Sequence, residues 1–142
     1  MLLESTSSLK ICSDLKNLST IRCFVKEAAD KVELVNEKIE ELQLAVDEAC
    51  ANIIQHGYKK NSGDINIHIS LDNEKITIYL SDNAPLYNPM KESPAPRLDE
   101  PLEKRALGGM GVLIVKENTD KVEYKVSEDG GNILIMTKYL HN

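Results

Sequence analysis

The segment LAVDEACANIIQHGY, residues 44–58, decides how this chain folds. It continues an apolar pattern of helical period that starts after Asn36, a residue favoured at helix N-caps, and that Gly57 can stop. The positions that form this apolar stripe are Ile39, Leu42, Val46, Ala49 and Ile53. Glu48 and Asn52 are four residues apart and therefore lie on one helix face, beside the stripe. The pattern predicts a long helix with a polar pair at the border of the core.

The periodicity on either side of this helix predicts a mixed fold. Strands are predicted where apolar residues alternate or cluster, and helices where they recur every three or four residues. The predicted strands are 7–12, 65–71, 76–80, 122–126 and 133–137, and the two further helices are 18–31 and 110–118. This order favours an α+β fold, a two-layer sandwich whose mostly antiparallel sheet is backed by three helices. A length of 142 residues favours one domain, 1–142.

Composition excludes several classes of protein. A net charge of -6, with lysines and arginines scattered among acids, argues against nucleic-acid binding. The sequence has no apolar run of about 20 residues and no basic leader, so we expect a cytoplasmic protein rather than one in a membrane. Cys12, Cys23 and Cys50 have neither metal-site nor disulfide spacing and are expected to be buried, reduced thiols.

Glu48, Asn52 and Asp82 are the first candidates for chemistry. A carboxylate and a carboxamide on one helix face can hold a hydrated Mg²⁺ and a water, although such a pair can equally be the wet flank of a helix. Asp82 follows Ile76, Ile78 and Leu80 by twos, which places it on the buried face of its strand. A carboxylate there needs a donor, which either a ligand or the next turn can supply.

A glycine cluster is the second candidate. Gly108, Gly109, Met110 and Gly111 precede an apolar helix, so backbone N–H groups and the helix dipole could bind phosphate there. The alternative is a simple helix start. Neither a Walker loop nor a dinucleotide fingerprint fits, because the following residues and the preceding element differ from both.

Together, these segments resemble a known family. Residues 44–58 resemble the N box of the GHKL ATPases, which have the Bergerat, or histidine-kinase-like ATPase, fold. The segment DNAPLYNP, residues 82–89, resembles their first glycine box, and 108–111 with 112–124 resembles the second. The match is most specific to the branch of anti-sigma-factor serine kinases, and it extends over about residues 7–140.

The resemblance implies a role for each candidate. Asn52 would be the Mg²⁺ ligand, Glu48 the general base and Asp82 the acceptor for the adenine amino group. The glycines, with Met110 among them, would bind the ATP phosphates through backbone N–H groups. Residues 83–107 would form a lid over ATP, in which Lys104 and Arg105 either meet phosphate oxygens or stay solvated.

Two residues depart from the family pattern. Ala84 stands where the broad family has glycine, and it adds a methyl group close to the expected adenine. Asn132 stands where threonine is common, and its amide could serve as donor and acceptor instead.

The resemblance also implies partners. A kinase of this branch captures a sigma factor and phosphorylates a serine of a small antagonist protein, and it is often a homodimer. The alternative is a nucleotide-dependent binding module without kinase activity. A catalytic fragment of a sensor histidine kinase is disfavoured, because no helical hairpin with a phosphoacceptor histidine is evident in the sequence.

Overall fold

The computed structural model describes residues 4–59, 61–86, 88 and 109–141. Within these residues the chain forms five strands and three α-helices. In chain order they are β1 (Glu4–Cys12), α1 (Leu18–Ala29), α2 (Asn36–Asn52), β2 (Asp64–Asp72), β3 (Lys75–Asp82), α3 (Gly109–Glu117), β4 (Lys121–Val126) and β5 (Asn132–Tyr139). A 3-10 turn, Leu15–Asn17, precedes α1, and a π-helical turn, Ile53–Tyr58, follows α2. The predicted α+β architecture is confirmed.

The five strands form one antiparallel sheet in the order β1-β2-β3-β5-β4. The register matters for function at the end of β3, where Asp82 lies between Ile65 of β2 and Asn132 of β5. Residues that are 50 positions apart in the chain thus become neighbours at one end of the sheet.

The core lies between the sheet and the helices, and α2 packs against both α1 and α3. The side chains of β2 alternate as its sequence requires: Ile65, Ile67, Ile69 and Leu71 are at most 1% exposed, whereas Asn66 faces outward. Each such aliphatic side chain contributes about 1.5–3 kcal/mol when fully buried. The buried residues of α2 that complete this layer are Ile39, Leu42, Ala45, Val46, Ala49 and Cys50.

The ends of the first two helices differ from the sequence prediction. Val35, not Asn36, is the N-cap of α2, because Val35 has the extended backbone and Asn36 is already helical. Helix α1 ends at Ala29 rather than at residue 31. The predicted continuation of α2 to Gly57 is present but changes type, since α2 ends at Asn52 and a π-helical turn follows.

The cysteine prediction is wrong at two of three positions. All three thiols are free, but Cys12 and Cys23 are exposed and Cys50 alone is buried. Cys12 ends an edge strand, and Cys23 lies off the buried stripe of α1.

Some predictions fall outside the described residues. Lys104, Arg105 and Gly108 do so, as does most of the predicted lid 83–107, of which 83–86 and 88 are described. Across the ranges that the structure does cover, no helix combines the length and apolar character needed to cross a bilayer.

Candidate functional site

A pocket opens between the C-terminal half of α2, the ends of β3 and β5, and helix α3. Its wall is largely apolar, with a few polar side chains from different elements, which is the usual make-up of a small-molecule site. The lining residues are Ala49, Asn52, Ile53, Gly57, Asp82, Pro85, Val112, Val115, Tyr124, Asn132 and Leu134.

Asp82 is the buried acid of this pocket. Its side chain ends β3 and the residue is only 6% exposed, as the strand alternation predicts. Its Oδ1 atom accepts hydrogen bonds from the backbone N–H of Ala84 at 2.9 Å and from Nδ2 of Asn132 at 2.8 Å. Burial raises the pKa of this carboxyl, and these two hydrogen bonds partly offset the rise. Asp82 therefore both caps the next turn and lines the pocket.

Among the described residues, oxygen atoms of Asp82, Ala84, Pro85 and Tyr124 orient the Asn132 amide. Its Nδ2 atom donates to Oδ1 of Asp82 and, at 3.2 and 3.3 Å, to the carbonyl oxygens of Ala84 and Pro85. Its Oδ1 atom accepts from the hydroxyl of Tyr124 at 2.5 Å. The amide thus lines the pocket while its nitrogen is directed at Asp82 and the loop behind it.

Backbone contacts fix the turn after Asp82. The hydroxyl of Tyr58 donates to the carbonyl of Asp64 and accepts from the backbone N–H of Asn83, both at 2.8 Å. A Cβ atom on Gly131 would lie 2.3 Å from the carbonyl oxygen of Asp82, so glycine is required there.

Ala84 lies behind the pocket wall rather than in it. It is 4% exposed and does not line the pocket, and a Cβ atom on Gly57, which does, would be 3.2 Å from the methyl carbon of Ala84. The added methyl group of this chain therefore packs against the segment that follows α2.

Asn52 and Glu48 occupy the helical side of the site. Asn52 is the last residue of α2 and lines the pocket half-buried, while Glu48 lies one turn earlier and does not line it. Within the described residues, neither side chain forms a hydrogen bond or ion pair. Burial, and secondarily the charge of Asp47, raises the pKa of Glu48. Both groups are therefore available to a ligand.

The residue before Glu48 is tied to α1. Nη1 of Arg22 lies 2.6 Å from Oδ1 of Asp47, and Nε2 of Gln43 donates to the carbonyl of Arg22 at 3.0 Å. These contacts hold the middle of α2 against α1, next to the candidate base.

The glycine cluster meets the pocket through α3. This helix begins at Gly109 and includes Met110 and Gly111, and Val112 and Val115 from its next turns line the pocket. The unpaired N–H groups at a helix start favour anions. Because Val112 directly follows Gly111, the start of α3 adjoins the pocket, and phosphate binding by Gly109, Met110 and Gly111 stays a prediction.

Sequence reasoning missed Tyr58, Tyr124 and Arg22. Tyr58 closes the 44–58 segment, so its position could have suggested a role. Tyr124 and Arg22 carry no local signal, because their partners lie in other elements.

Known proteins resemble this chain over most of its length. A Serine-protein kinase RsbW of Bacillus cereus is 28% identical over 135 residues, covering 93% of this chain and 83% of the relative. A protein of the same name from Bacillus mycoides is 27% identical over the same shares. A crystal structure of the RsbU and RsbW domains of a Mycobacterium tuberculosis protein matches with a TM-score of 0.66 and 13% identity. The match covers 97% of this chain and 33% of the longer Mycobacterium tuberculosis chain. At this sequence identity it supports only the fold.

The family assignment rests on a match that covers most of the sequence. Residues 11–138 match the model of the histidine kinase-like ATPase domain, and that range includes every described residue of the pocket. The pocket and the antiparallel sheet that carries it agree with this match, and the chain belongs to the histidine kinase-like ATPase domain family.

Proposed function

We propose that this protein is an ATP-dependent protein-serine kinase that phosphorylates a small antagonist protein and also binds a sigma factor. The names of its relatives, Serine-protein kinase RsbW, support the kinase activity. The resemblance of its three boxes to those of anti-sigma-factor kinases supports the two partners.

One observation carries the proposal. Glu48, a carboxylate with a raised pKa, lies one helical turn before Asn52, which lines a pocket that also contains the buried acceptor Asp82. Among the described residues, the side chains of Glu48 and Asn52 have no hydrogen-bond partner. Raising the pKa of a carboxylate makes it a stronger base for taking a proton from a hydroxyl. Asn52 lines the pocket, whereas a helix flank directed only at solvent would not.

The apolar end of the pocket fits a purine base. Ala49, Ile53 and Leu134 provide apolar contacts, and Asp82 provides a hydrogen-bond acceptor at the end of β3. Because the other carboxylate oxygen already accepts two bonds, Oδ2 is the atom for the exocyclic amino group of adenine.

The other end fits a metal-bound triphosphate. Mg²⁺ is usually bound by one or two protein oxygens together with substrate phosphates and waters. The Asn52 side chain supplies one such oxygen, with no internal partner among the described residues to compete. The start of α3 supplies backbone N–H groups for the phosphates.

These residues divide the work of phosphoryl transfer. Glu48 takes the proton of the attacking serine hydroxyl as its oxygen bonds to the γ-phosphorus, and the bond from that phosphorus to the β-phosphate oxygen breaks to release ADP. Mg²⁺, when bound, would neutralise the charge that develops on the phosphate oxygens. Asn52 holds the metal side of the nucleotide, and Asp82 holds the base.

The proposal includes a cytoplasmic location and a homodimer, as expected for this branch. Light scattering on the purified protein, with and without ATP, measures the second of these. A monomer under both conditions would refute the proposed homodimer but would not affect the proposed kinase activity.

The test of function is a single-turnover reaction. The protein is purified from its native cell, the bound partners are identified, and γ-labelled ATP with Mg²⁺ is added. We expect a sigma factor or a small protein in the eluate and label on a serine of the small protein. ATP binding and partner binding without transfer would refute the kinase and favour the nucleotide-dependent binding module.

A further inference from the structure

We infer that Tyr124 and Asn132 are specificity-determining residues that position Asp82, so that the pocket selects a purine with an amino group at carbon 6. This inference rests on the proposed function in one respect, that the ligand is a purine nucleotide. It concerns two residues that act through Asp82, and it does not depend on phosphoryl transfer.

Hydrogen bonds fix the orientation of the Asn132 amide. Three oxygens, from Asp82, Ala84 and Pro85, lie 2.8 to 3.3 Å from Nδ2, and none of them has a proton to donate when Asp82 is ionised. A flipped amide would put its oxygen against these acceptors. The Tyr124 hydroxyl reinforces the observed orientation, because it donates to Oδ1 at the opposite end of the amide.

The oriented Asn132 amide in turn orients the carboxylate of Asp82. Donors from Asn132 and from the Ala84 backbone converge on one carboxylate oxygen, Oδ1. Two bonds on one oxygen fix the rotation of the carboxylate group. Within the part of the chain that the structure describes, Oδ2 accepts no hydrogen bond, so it is the atom left for a ligand.

A fixed Oδ2 atom discriminates between purines by the group at carbon 6. It can accept a proton from the amino group of adenine. It repels the carbonyl oxygen at carbon 6 of hypoxanthine or guanine, and it remains unpaired beside a purine with hydrogen at that carbon. A site built to bond one polar group discriminates strongly against analogues that lack it, because its own buried group is then unsatisfied.

The arrangement of Asp82, Asn132 and Tyr124 is shielded from solvent. Asp82 and Asn132 are 6% and 7% exposed, and Tyr124 packs against the core with its hydroxyl directed at Asn132. Water therefore has little access to replace a lost bond. The fixed carboxylate is a property of three side chains on three neighbouring strands, β3, β5 and β4.

The experiment measures ratios of affinity, not affinities alone. Dissociation constants are determined by calorimetry for ATP, inosine triphosphate and purine-riboside triphosphate, which has hydrogen at carbon 6. The variants are Tyr124→Phe, which removes only the hydroxyl, and Asn132→Leu, which removes the amide at similar size. Tyr79→Phe is the matched control, because Tyr79 lies against His68 on the other face of the sheet.

We expect the wild type to bind ATP at least about tenfold more tightly than either analogue, the scale of one hydrogen bond to a charged group. The ratio of the analogue's dissociation constant to that of ATP should fall about tenfold in Asn132→Leu and about threefold in Tyr124→Phe. The ratio should stay unchanged in Tyr79→Phe. If both site variants weaken all three triphosphates equally, their role is structural and the inference is wrong.

Two further outcomes keep this test separate from the test of function. A wild type that binds none of the triphosphates would overturn the proposed function and this inference with it. A wild type that binds ATP but transfers no phosphate overturns the kinase alone, and the ratios still decide the inference. If Asn132→Leu does not fold, as judged by circular dichroism, Tyr124→Phe decides the question.

Discussion

The two ends of the pocket are built in different ways. At the end proposed for the purine, Asp82, Asn132 and Tyr124 are linked by hydrogen bonds across three strands, so the sheet register fixes them before any ligand binds. At the end proposed for the phosphates, Glu48 and Asn52 share a helix face, and their side chains form no hydrogen bond within the described residues. Preorganised groups lower the cost of binding, whereas free groups can change partners during a reaction. The first end should therefore govern affinity, and the second should govern metal binding and chemistry.

Glu48→Gln is the sharpest way to break this division. The amide keeps the size of the side chain but cannot take a proton, so single-turnover transfer should fall about a hundredfold or more. ATP affinity should stay within a few-fold, since Glu48 does not line the pocket. Glu40→Gln, an exposed acid on the same helix, is the control. Normal transfer by the Glu48 variant would place the base elsewhere.

Asp82→Asn tests the purine end. The variant keeps one oxygen for Ala84 and Asn132 but replaces the free acceptor with a donor, which opposes the adenine amino group. We expect ATP affinity to fall about 10- to 100-fold, the scale of a lost hydrogen bond to a charged group. Thermal stabilisation by saturating ATP should shrink in parallel.

The control for this prediction is Asp64→Asn, an exposed acid at the start of β2 that pairs with Lys10. It should bind ATP like the wild type. If Asp82→Asn binds adenine nucleotides as tightly as the wild type, Asp82 does not contact the base.

Asn52→Ala tests the metal side with a smaller effect. Removing the carboxamide should lower ATP affinity about tenfold in the presence of Mg²⁺, the scale of one lost polar contact, and leave affinity in chelator unchanged. Calorimetric titrations with Mg²⁺ and with chelator measure both values. Asn66→Ala, on the outer face of β2, is the control. An equal loss with and without Mg²⁺ would contradict a metal ligand.

The difference between side chains placed by one helix or strand and side chains placed by contacts between strands also explains what the sequence could predict. Local periodicity was sufficient for Asp82, because alternation along β3 fixes which face a residue occupies, and the residue is indeed buried. It was sufficient for Glu48 and Asn52, whose spacing alone puts them one turn apart. Both results depend on distances of a few residues along the chain.

Contacts between distant segments could not be predicted in this way. The bond from Asn132 to Asp82 spans 50 residues and follows from the β3–β5 register, and the Tyr124 hydroxyl needs the β4–β5 register as well. The π-helical turn after Asn52 was missed because apolar spacing over one turn does not distinguish it from an α-helix. The roles of Lys104, Arg105 and Gly108 stay predictions.

The smallest effect concerns pH and the unliganded protein. Burial raises the pKa of Asp82 above that of an unfolded aspartate, about 3.9. Between that value and the raised one, the folded protein binds more protons at this site than the unfolded chain, so this carboxyl makes stability fall as pH rises. Glu48 acts in the same direction, whereas Asp72, whose pKa is lowered mainly by the backbone N–H groups of Glu74 and Lys75, acts in the opposite direction at lower pH.

Asp82→Asn removes the pH-dependent contribution of Asp82 to stability and retains those of Glu48 and Asp72. The difference in stability between the variant and the wild type therefore reports on Asp82. The free energy of unfolding of the variant minus that of the wild type should increase as pH rises above about 3.9, the pKa of an unfolded aspartate, because only the folded wild type still loses a proton at this site there. Urea denaturation of both proteins without nucleotide, at several pH values across this window, measures the difference. Parallel pH profiles would mean that the Asp82 carboxyl has the same pKa folded and unfolded. In that case the hydrogen bonds from Asn132 and Ala84 would fully offset the effect of burial on the pKa of Asp82. Ionised Asp82 would then not lower the free energy of unfolding of the protein without ATP.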